Sequence, residues 1–575
     1  MDSKLFKDPI YGYIQIPNDL MCQIVDSPEF QRLRRITQTS YAPVFSSAVH
    51  NRFVHSIGVY HLGNILMDHI CSEPLVKKFA ETDEDFKNDF ADIAKFKNLF
   101  LLACLLHDIG HAPFSHTGED FFLEAGRDFS KLHKQLQEVV GSDDLVPTEQ
   151  SLFAAPHEIM SAIIGIQSFP TKFTNLVSKE LFARFITGYE FPGESYKESF
   201  YNCFISFLNS KMIDVDKLDY LIRDAYITGF ATVNIDYPRL LNSITIIADN
   251  RNDEDDDDEP VADKHKNQKY IVAYNKNAIS VIESVIFAHD AERKWIQGHP
   301  VILYESYLLT ESMKQIKEYY LQQGVSLFSS DALSWEGIDS TNSPFYESNP
   351  KHLPDRFRLL SDDDILFMMK NLQLGKYADE YFARNNRMHP VWKSEAEYNA
   401  IMEGIVGRNS PAIKKLNKAL SATMKFIESN DKYGAITEEL PKEIEKEIEK
   451  LNQNKELLGD ETYEDNLKKK KRIQKVINVL FEEAKEHHLD TEFLFLRAYT
   501  FRSGFAKPDF NDITVLPTDN IIVEFNKAVS SISMNYSSPH DSFFYLFYKR
   551  SVDAQGRVMM LNSENLIKRL LKEFM

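Results

Sequence analysis

The chain has 575 residues, with 86 acidic against 66 basic side chains and a formal net charge of −20, enough length for a substantial core divided into two or three domains. The acidic balance argues against broad nucleic-acid binding. Only four cysteines, Cys22, Cys71, Cys104 and Cys203, are present, none in C-x-x-C spacing, which argues against a thiolate zinc site and for a reducing compartment. The start Met1-Asp2-Ser3-Lys4 does not read as a signal peptide and no apolar run approaches membrane-spanning length, so the expectation is a soluble, cytoplasmic protein with no membrane partner.

In chain order, the first segment with recognisable patterning is the charged run Asp26 to Ile36. A second begins at His50-Asn51-Arg52-Phe53-Val54-His55 and reads as an amphipathic helix with Arg52 and His55 one turn apart on the same side. The stretch Leu99 to Leu106 is apolar all round and predicts a buried helix that delivers His107 and Asp108 to the interior. A carboxylate placed there must be paired or bound to a cation. The run HDIGHAPFSH puts His107, His111 and His116 beside Asp108, and Gly110 and Pro113 end the helix so that neighbouring side chains can converge. Imidazole with carboxylate suits zinc, iron, manganese or nickel. Taken alone, the His-Asp doublet is better read as a dipole-stabilised helix C-terminus, and two further ligands are needed to overturn that.

An insertion near 126–156 carries loop signals at Gly126, Gly141 and Pro147, followed by Pro156-His157-Glu158. The segment Met212 to Asp224 sets Asp216, Tyr220 and Asp224 at i, i+4, i+8, with Lys217 beside them; a solvated helix face is the plainer alternative. Ile244 to Ala248 and Tyr270 to Tyr274 read as short strands, which makes the acidic run 253–259 a solvated hairpin tip. Residues 280–430 return to helical periodicity. Residues 436–490 are rich in Glu and Lys, with Ile444, Ile448, Leu451 and Leu458 at helical spacing, and predict an antiparallel helical pair or short coiled coil. The last segment alternates strand-like runs, 513–516 and 543–548, with a final helix from Ser563. The expected fold is mostly α: a helical core over 1–240, a hairpin and helical continuation over 241–435, a charged helical segment over 436–490 and a smaller α+β cap over 491–575.

The order His55, His107-Asp108, Asp216 resembles that of the HD-domain metal-dependent phosphohydrolases. The flanking runs, DSPEFQRLRRI, the His50 to Val59 stretch, HDIGHAPFSH and IDVDKLDYLIRD, are similar to the deoxynucleoside triphosphate triphosphohydrolase branch, and within it to the catalytic region of the animal enzymes that combine a sterile alpha motif with an HD domain. The likeness covers roughly residues 1–240.

The resemblance implies that His55, His107, Asp108 and Asp216 bind a divalent metal (manganese, iron, zinc, magnesium or nickel) that polarises the α-phosphate. It implies that His116 is the acid or base at the scissile bond with Glu119 orienting it, and that His111 and His157 complete a histidine cluster around the phosphates. Arg52 and Lys217 would hold triphosphate oxygens, while Gln38, Tyr220 and Asp224 would face the sugar. Lys4, Asp26, Gln31 and Arg34 match positions that contact an activating nucleotide between subunits, which implies a homo-oligomer; Arg239 and Lys276 approximate a second such site. Two departures stand out. Thr39 replaces an apolar residue next to the sugar-facing glutamine, and the stretch Ile286 to Val301 follows the family's basic, aromatic run only loosely.

The chemistry has its own logic. A triphosphate brings about four negative charges to an acidic protein, so a local positive cluster is needed; Arg52, Lys217, the metal and protonated histidines supply one. Cleavage at the α-phosphate expels a sugar alkoxide, a poor leaving group that calls for a general acid, and His116 is the candidate. The metal ligands alone do not fix which ester is cut, so a phosphodiesterase or nuclease acting on cyclic or oligomeric nucleotides is the alternative enzyme. A nucleotide-sensing component of a phage-defence system is an alternative of another kind.

Overall fold

The computed structural model describes residues 3–123, 127–193, 195–210, 213–230, 234–249, 269–323, 360–384, 387–407, 410–429, 435–436, 439–453, 460–489, 492–498, 513–518, 521–528, 543–552 and 555–575. The acidic run 253–259 and Leu458 lie outside them. The chain forms two compact units. The first comprises Met1–Glu292, Leu309–Leu374 and Ser503–Ser537; the second comprises Arg293–Leu308, Gly375–Arg502 and Ser538–Met575.

The first unit opens with an antiparallel hairpin, β1 (Ser3–Asp8) and β2 (Gly12–Pro17), in which Asp8 pairs with Gly12 across the turn. Its principal helices are α1 (Arg52–Ile70), α2 (Ile93–Leu106), α3 (Ser130–Val140), α4 (Pro156–Ser168), α5 (Leu176–Thr187), α6 (Tyr196–Leu208) and α7 (Val215–Thr228). Their starts follow from capping chemistry: Asn51, Asp92, Asn175, Ser195 and Asp214 each accept the N–H three residues on. Helix α2 is buried from Leu99 to Leu106, as its unbroken apolar run requires. It packs on α1, which in turn packs on α7. Close approach is bought by small residues; a Cβ at Gly63 would meet Cys104 Sγ at 2.7 Å.

The insertion near 126–156 is more ordered than its loop signals suggested. It contains α3, whose apolar positions Leu132, Leu136 and Val140 are buried and which ends at Gly141 in the left-handed conformation (φ 84°), the usual helix stop.

Strands β3 (Ile244–Asp249) and β4 (Lys269–Asn275) pair antiparallel, as the hairpin reading expects. The strand Thr514–Thr518 then adds parallel to β4, and Ile521–Glu524 adds to that. The segment 491–575 therefore does not form a cap of its own; its middle completes a sheet of the first unit and its ends belong to the second, because strand pairing, not sequence proximity, decides the grouping.

In the second unit, Phe493–Ala498 and Phe543–Lys549 pair antiparallel at the centre of a four-stranded sheet flanked by Met388–Pro390 and Ala435–Ile436. The charged segment forms two helices, Leu440–Gln453 and Asp460–Glu486. Contacts of Glu447 with Lys470 and Asn452 with Tyr463 fix them as antiparallel. Their apolar stripes, with Ile444, Ile473, Val476, Ile477 and Leu480, join the core around Trp392 and Phe493. Among the described residues no helix is long and apolar enough to cross a membrane.

Candidate metal centre

Helix α2 stops at Leu106, with His107 as its C-cap, and the chain turns through Asp108 to Gly110. Gly110 is required by a close approach: a Cβ there would lie 2.2 Å from the Ser161 nitrogen and 2.4 Å from the Met160 carbonyl carbon of α4. The Gly110 N–H donates to Ser161 Oγ at 2.8 Å.

Around this turn the four expected ligands meet. His55 Nε2 lies 3.2 Å from His107 Nε2, 2.9 Å from Asp216 Oδ1 and 3.6 Å from Asp108 Oδ2. His107 Nε2 lies 3.5 Å from Asp108 Oδ1 and 3.6 Å from Asp216 Oδ1. The other ring nitrogens face away, His107 Nδ1 to the Cys104 carbonyl at 2.9 Å and His55 Nδ1 to Asp219 Oδ2 at 2.7 Å. Two nitrogens bound to one ion at ~2.1 Å are about 3.0–3.4 Å apart in octahedral or tetrahedral geometry. The donor set and its spacing thus fit a divalent metal.

The electrostatics agree with a site built for a cation. Burial raises the cost of ionising Asp108 and Asp216, but Arg52 and the histidines hold Asp108, and His107 and His55 hold Asp216, well below the ordinary carboxylate range. Burial likewise opposes a charge on His55, and Asp216, Asp219 and Asp108 override it, lifting the imidazole to about 10.

A second cluster adjoins the first. His116 Nδ1 lies 2.6 Å and His157 Nδ1 2.9 Å from Glu119 Oε1, and the rings of His111 and His157 stack with centroids 3.9 Å apart. His111 Nε2 is 3.1 Å from Asp108 Oδ1, which joins the two clusters. Burial and the neighbouring cations Arg52 and His157 keep His111 neutral. Burial opposes the charge on His157 too, but Glu119 raises it to about 9. The His116 side chain is 70% exposed and can reach a ligand in solvent.

Arg52 sits between Asp108 and the loop before α1. Its guanidinium donates to Asp108 Oδ2 at 2.9 Å, Ser115 Oγ at 3.0 Å and the Gln38 carbonyl at 3.4 Å. The Gln38 N–H donates to the His50 carbonyl at 3.0 Å, and His50 Nε2 lies 2.6 Å from Asp224 Oδ1. Gln38 and Asp224 are thereby tied into one buried strip that Arg52 joins to Asp108. Tyr220 is half-buried one turn past Asp216 on α7. Lys217 donates to the Ser210 carbonyl at 2.7 Å and Asp214 Oδ2 at 2.5 Å. Of the expected activator contacts, Gln31 and Arg34 come together, Arg34 Nε donating to Gln31 Oε1 at 3.0 Å; Lys4 and Asp26 are exposed.

Several groups that shape the site carry no sequence expectation. Phe114 and Ser115 both adopt left-handed φ (58° and 54°), which costs roughly 1–2 kcal/mol each. Asp362 holds this loop, accepting from the Phe114 N–H at 2.6 Å and from the Thr37 N–H and hydroxyl at 2.8 and 2.6 Å. Arg32 donates to the Ile109, His111 and Leu360 carbonyls. Asp219, held by Arg223 through Nε at 2.8 Å and Nη2 at 2.9 Å, backs His55. Its i, i+4 spacing to Arg223 reads as an ordinary helix pair; the usable signal was that a metal-binding histidine needs an acceptor for its other nitrogen.

Residues 52–162 match the HD domain family model. The chain is 30% identical over 243 residues to the uncharacterized protein YwfO of Bacillus subtilis, a match covering 42% of this chain and 44% of that one. It is 32% identical over 246 residues to the deoxynucleoside triphosphate triphosphohydrolase SAMHD1 of Xenopus laevis, covering 41% and 36%, and 30% identical over 249 residues to human SAMHD1, covering 41% and 35%. The matches span less than half the length of these relatives. Among solved structures, a phosphohydrolase from Bacteroides thetaiotaomicron aligns with a TM-score of 0.50 at 19% identity over 95% of this chain and all of that one. A hypothetical protein from Aquifex aeolicus aligns with a TM-score of 0.50 at 18% identity over 95% and 96%. At these identities the structural likeness is one of fold.

Proposed function

We propose that this chain, whose residues 52–162 match the HD domain family model, is a deoxynucleoside triphosphate triphosphohydrolase, releasing deoxynucleoside and intact triphosphate. The observation that carries the reading is the continuity of the site. The cluster His55, His107, Asp108 and Asp216 is flanked on one side by His111, His116, Glu119 and His157, and joined through Arg52 to the buried strip of Gln38, His50 and Asp224. That adjacency supports assigning phosphate chemistry to the histidine and aspartate clusters and a sugar hydroxyl to the Gln38–Asp224 strip. The relatives named SAMHD1 support the substrate class.

When bound, a divalent cation supplies Lewis-acid polarisation of the α-phosphoryl group and eases deprotonation of water. The protein's own groups do the rest. Water oxygen attacks the α-phosphorus and its proton passes to solvent, the P–O5′ bond breaks, and His116, hydrogen-bonded to Glu119, gives a proton to the departing 5′-oxygen and is reprotonated from solvent. Protonated His157, Arg52 and Lys217 offset charge on the triphosphate. For Lys217 this means exchanging its Asp214 contact for phosphate oxygens. Asp224 and Gln38 accept and donate at the 3′-hydroxyl. On the same resemblance we assign Lys4, Asp26, Gln31 and Arg34 to an activating nucleotide in a homo-oligomer.

The experiment is product analysis with Mn²⁺ or Mg²⁺ and each dNTP, singly and mixed, beside rNTPs and linear and cyclic dinucleotides. Deoxynucleoside with triphosphate is the expected result, and activity confined to mixtures would reveal activation. Cleavage of dinucleotides with inert dNTPs would move the protein to the phosphodiesterases.

A further inference from the structure

Behind His55 a run of buried ion pairs leads from the metal ligands to the amino-terminal hairpin. His55 Nδ1 donates to Asp219 Oδ2 at 2.7 Å, and the same oxygen accepts from Arg223 Nε at 2.8 Å. Arg223 Nη2 takes the other Asp219 oxygen at 2.9 Å, leaving Nη1 to Asp8 Oδ2 at 2.9 Å. Asp219, Arg223 and Asp8 are 0%, 1% and 6% exposed.

Three features indicate a built arrangement. Gly58 on α1 makes room for it, since a Cβ there would lie 1.9 Å from Asp219 Oδ1 and 2.4 Å from Arg223 Nη2. Asp8 is held at the hairpin turn, its Oδ1 accepting from the Ile10 and Tyr11 N–H groups at 2.8 and 3.1 Å, so its second oxygen is fixed on Arg223. The Tyr11 ring, with its centroid 5.7 Å from the guanidinium carbon, covers the pair.

We propose that Asp219, Arg223 and Asp8 are positioning residues that couple the docking of the hairpin 3–17 to the metal affinity of His55. The proposal rests on His55 being a metal ligand and is independent of which nucleotide is cut. Asp219 fixes the tautomer and plane of the His55 ring, aiming Nε2 at the point shared with His107 and Asp216. Arg223 sets both oxygens of Asp219 by a two-point grip. With Asp8 withdrawn, a buried guanidinium loses one of its two anions and the grip on Asp219 loosens.

The test is metal binding by the full-length, metal-free protein, with Zn²⁺ or Mn²⁺ titrated against a chromophoric chelator and folding followed by circular dichroism. Asp219→Asn is expected to weaken binding about 10- to 100-fold. Asp8→Asn should weaken it several-fold, and the double variant should bind no worse than Asp219→Asn alone, because both changes act on one path. Lys7→Ala, on the same hairpin, should bind as the parent does. Parent-like affinity in Asp219→Asn overturns the proposal. If that variant fails to fold, Asp8→Asn decides: a folded Asp8→Asn protein with parent affinity reduces the hairpin contact to a structural one, and a several-fold loss upholds the coupling.

Discussion

His55 and His107 bring their Nε2 atoms to 3.2 Å while each turns its Nδ1 to a fixed acceptor, Asp219 in one case and the Cys104 carbonyl in the other. Both lone pairs are thereby aimed at one point. That relationship explains why burial of two imidazoles and two carboxylates is tolerated at the end of an otherwise apolar helix.

Metal uptake must displace protons. In the metal-free protein burial disfavours charge on His55 and His107, but the surrounding aspartates raise both, His55 to about 10. Calorimetry at neutral pH in buffers of different ionisation enthalpy should therefore show at least one proton released per metal, with affinity rising about tenfold per pH unit for each proton displaced. Proton-neutral uptake would count against His55 as a ligand.

The two histidine clusters should separate in function. His116→Gln is expected to lower kcat by about 10²- to 10⁴-fold with metal content unchanged, whereas His55→Ala should lose metal and activity together. Metal analysis beside steady-state kinetics distinguishes them. Equal metal loss in both variants would merge the clusters into one binding site.

The His157–Glu119 pair predicts a window of stability. His157 keeps its proton up to about pH 9 in the folded protein, above the ~6.5 of an unfolded histidine, so its contribution is complete below ~6.5 and fades as pH rises through 9. Glu119 is depressed, so its share is complete above ~4.5 and is lost as pH falls further. In urea unfolding of metal-free protein, the gap between parent and His157→Gln should narrow by up to about 3 kcal/mol between pH 6.5 and 10. A pH-independent gap would show that the pair is not ionised.

Asp362→Ala should release the left-handed turn at Phe114 and Ser115. The loss of buried, charge-assisted bonds to Phe114 and Thr37 is expected to cost about 2–3 kcal/mol, measured by chemical denaturation, and to reduce kcat because His116 follows that turn directly. Unchanged stability would mean that the turn is held by its own backbone.

The clustering of histidines and aspartates was legible because their chemistry is concentrated: the apolar run before His107 could only be a buried helix, and histidines following it demanded a purpose. The supports were not. Asp362 acts on Thr37 from 325 positions away, and Asp8 reaches Arg223 across 215, so no local pattern marks either. The i, i+4 spacing of Asp219 and Arg223 does not report that both are buried. The sheet pairing of Thr514–Thr518 with β4 was hidden for the same reason; each strand reads correctly alone, and their partnership is a tertiary fact.

Attack at the α-phosphorus of a dNTP is decided by turnover of metal-loaded protein in ¹⁸O-water with ³¹P nuclear magnetic resonance of the products. The expected products are tripolyphosphate carrying ¹⁸O on one terminal phosphorus and an unlabelled deoxynucleoside. Deoxynucleoside monophosphate with pyrophosphate, or label in the deoxynucleoside, would contradict it.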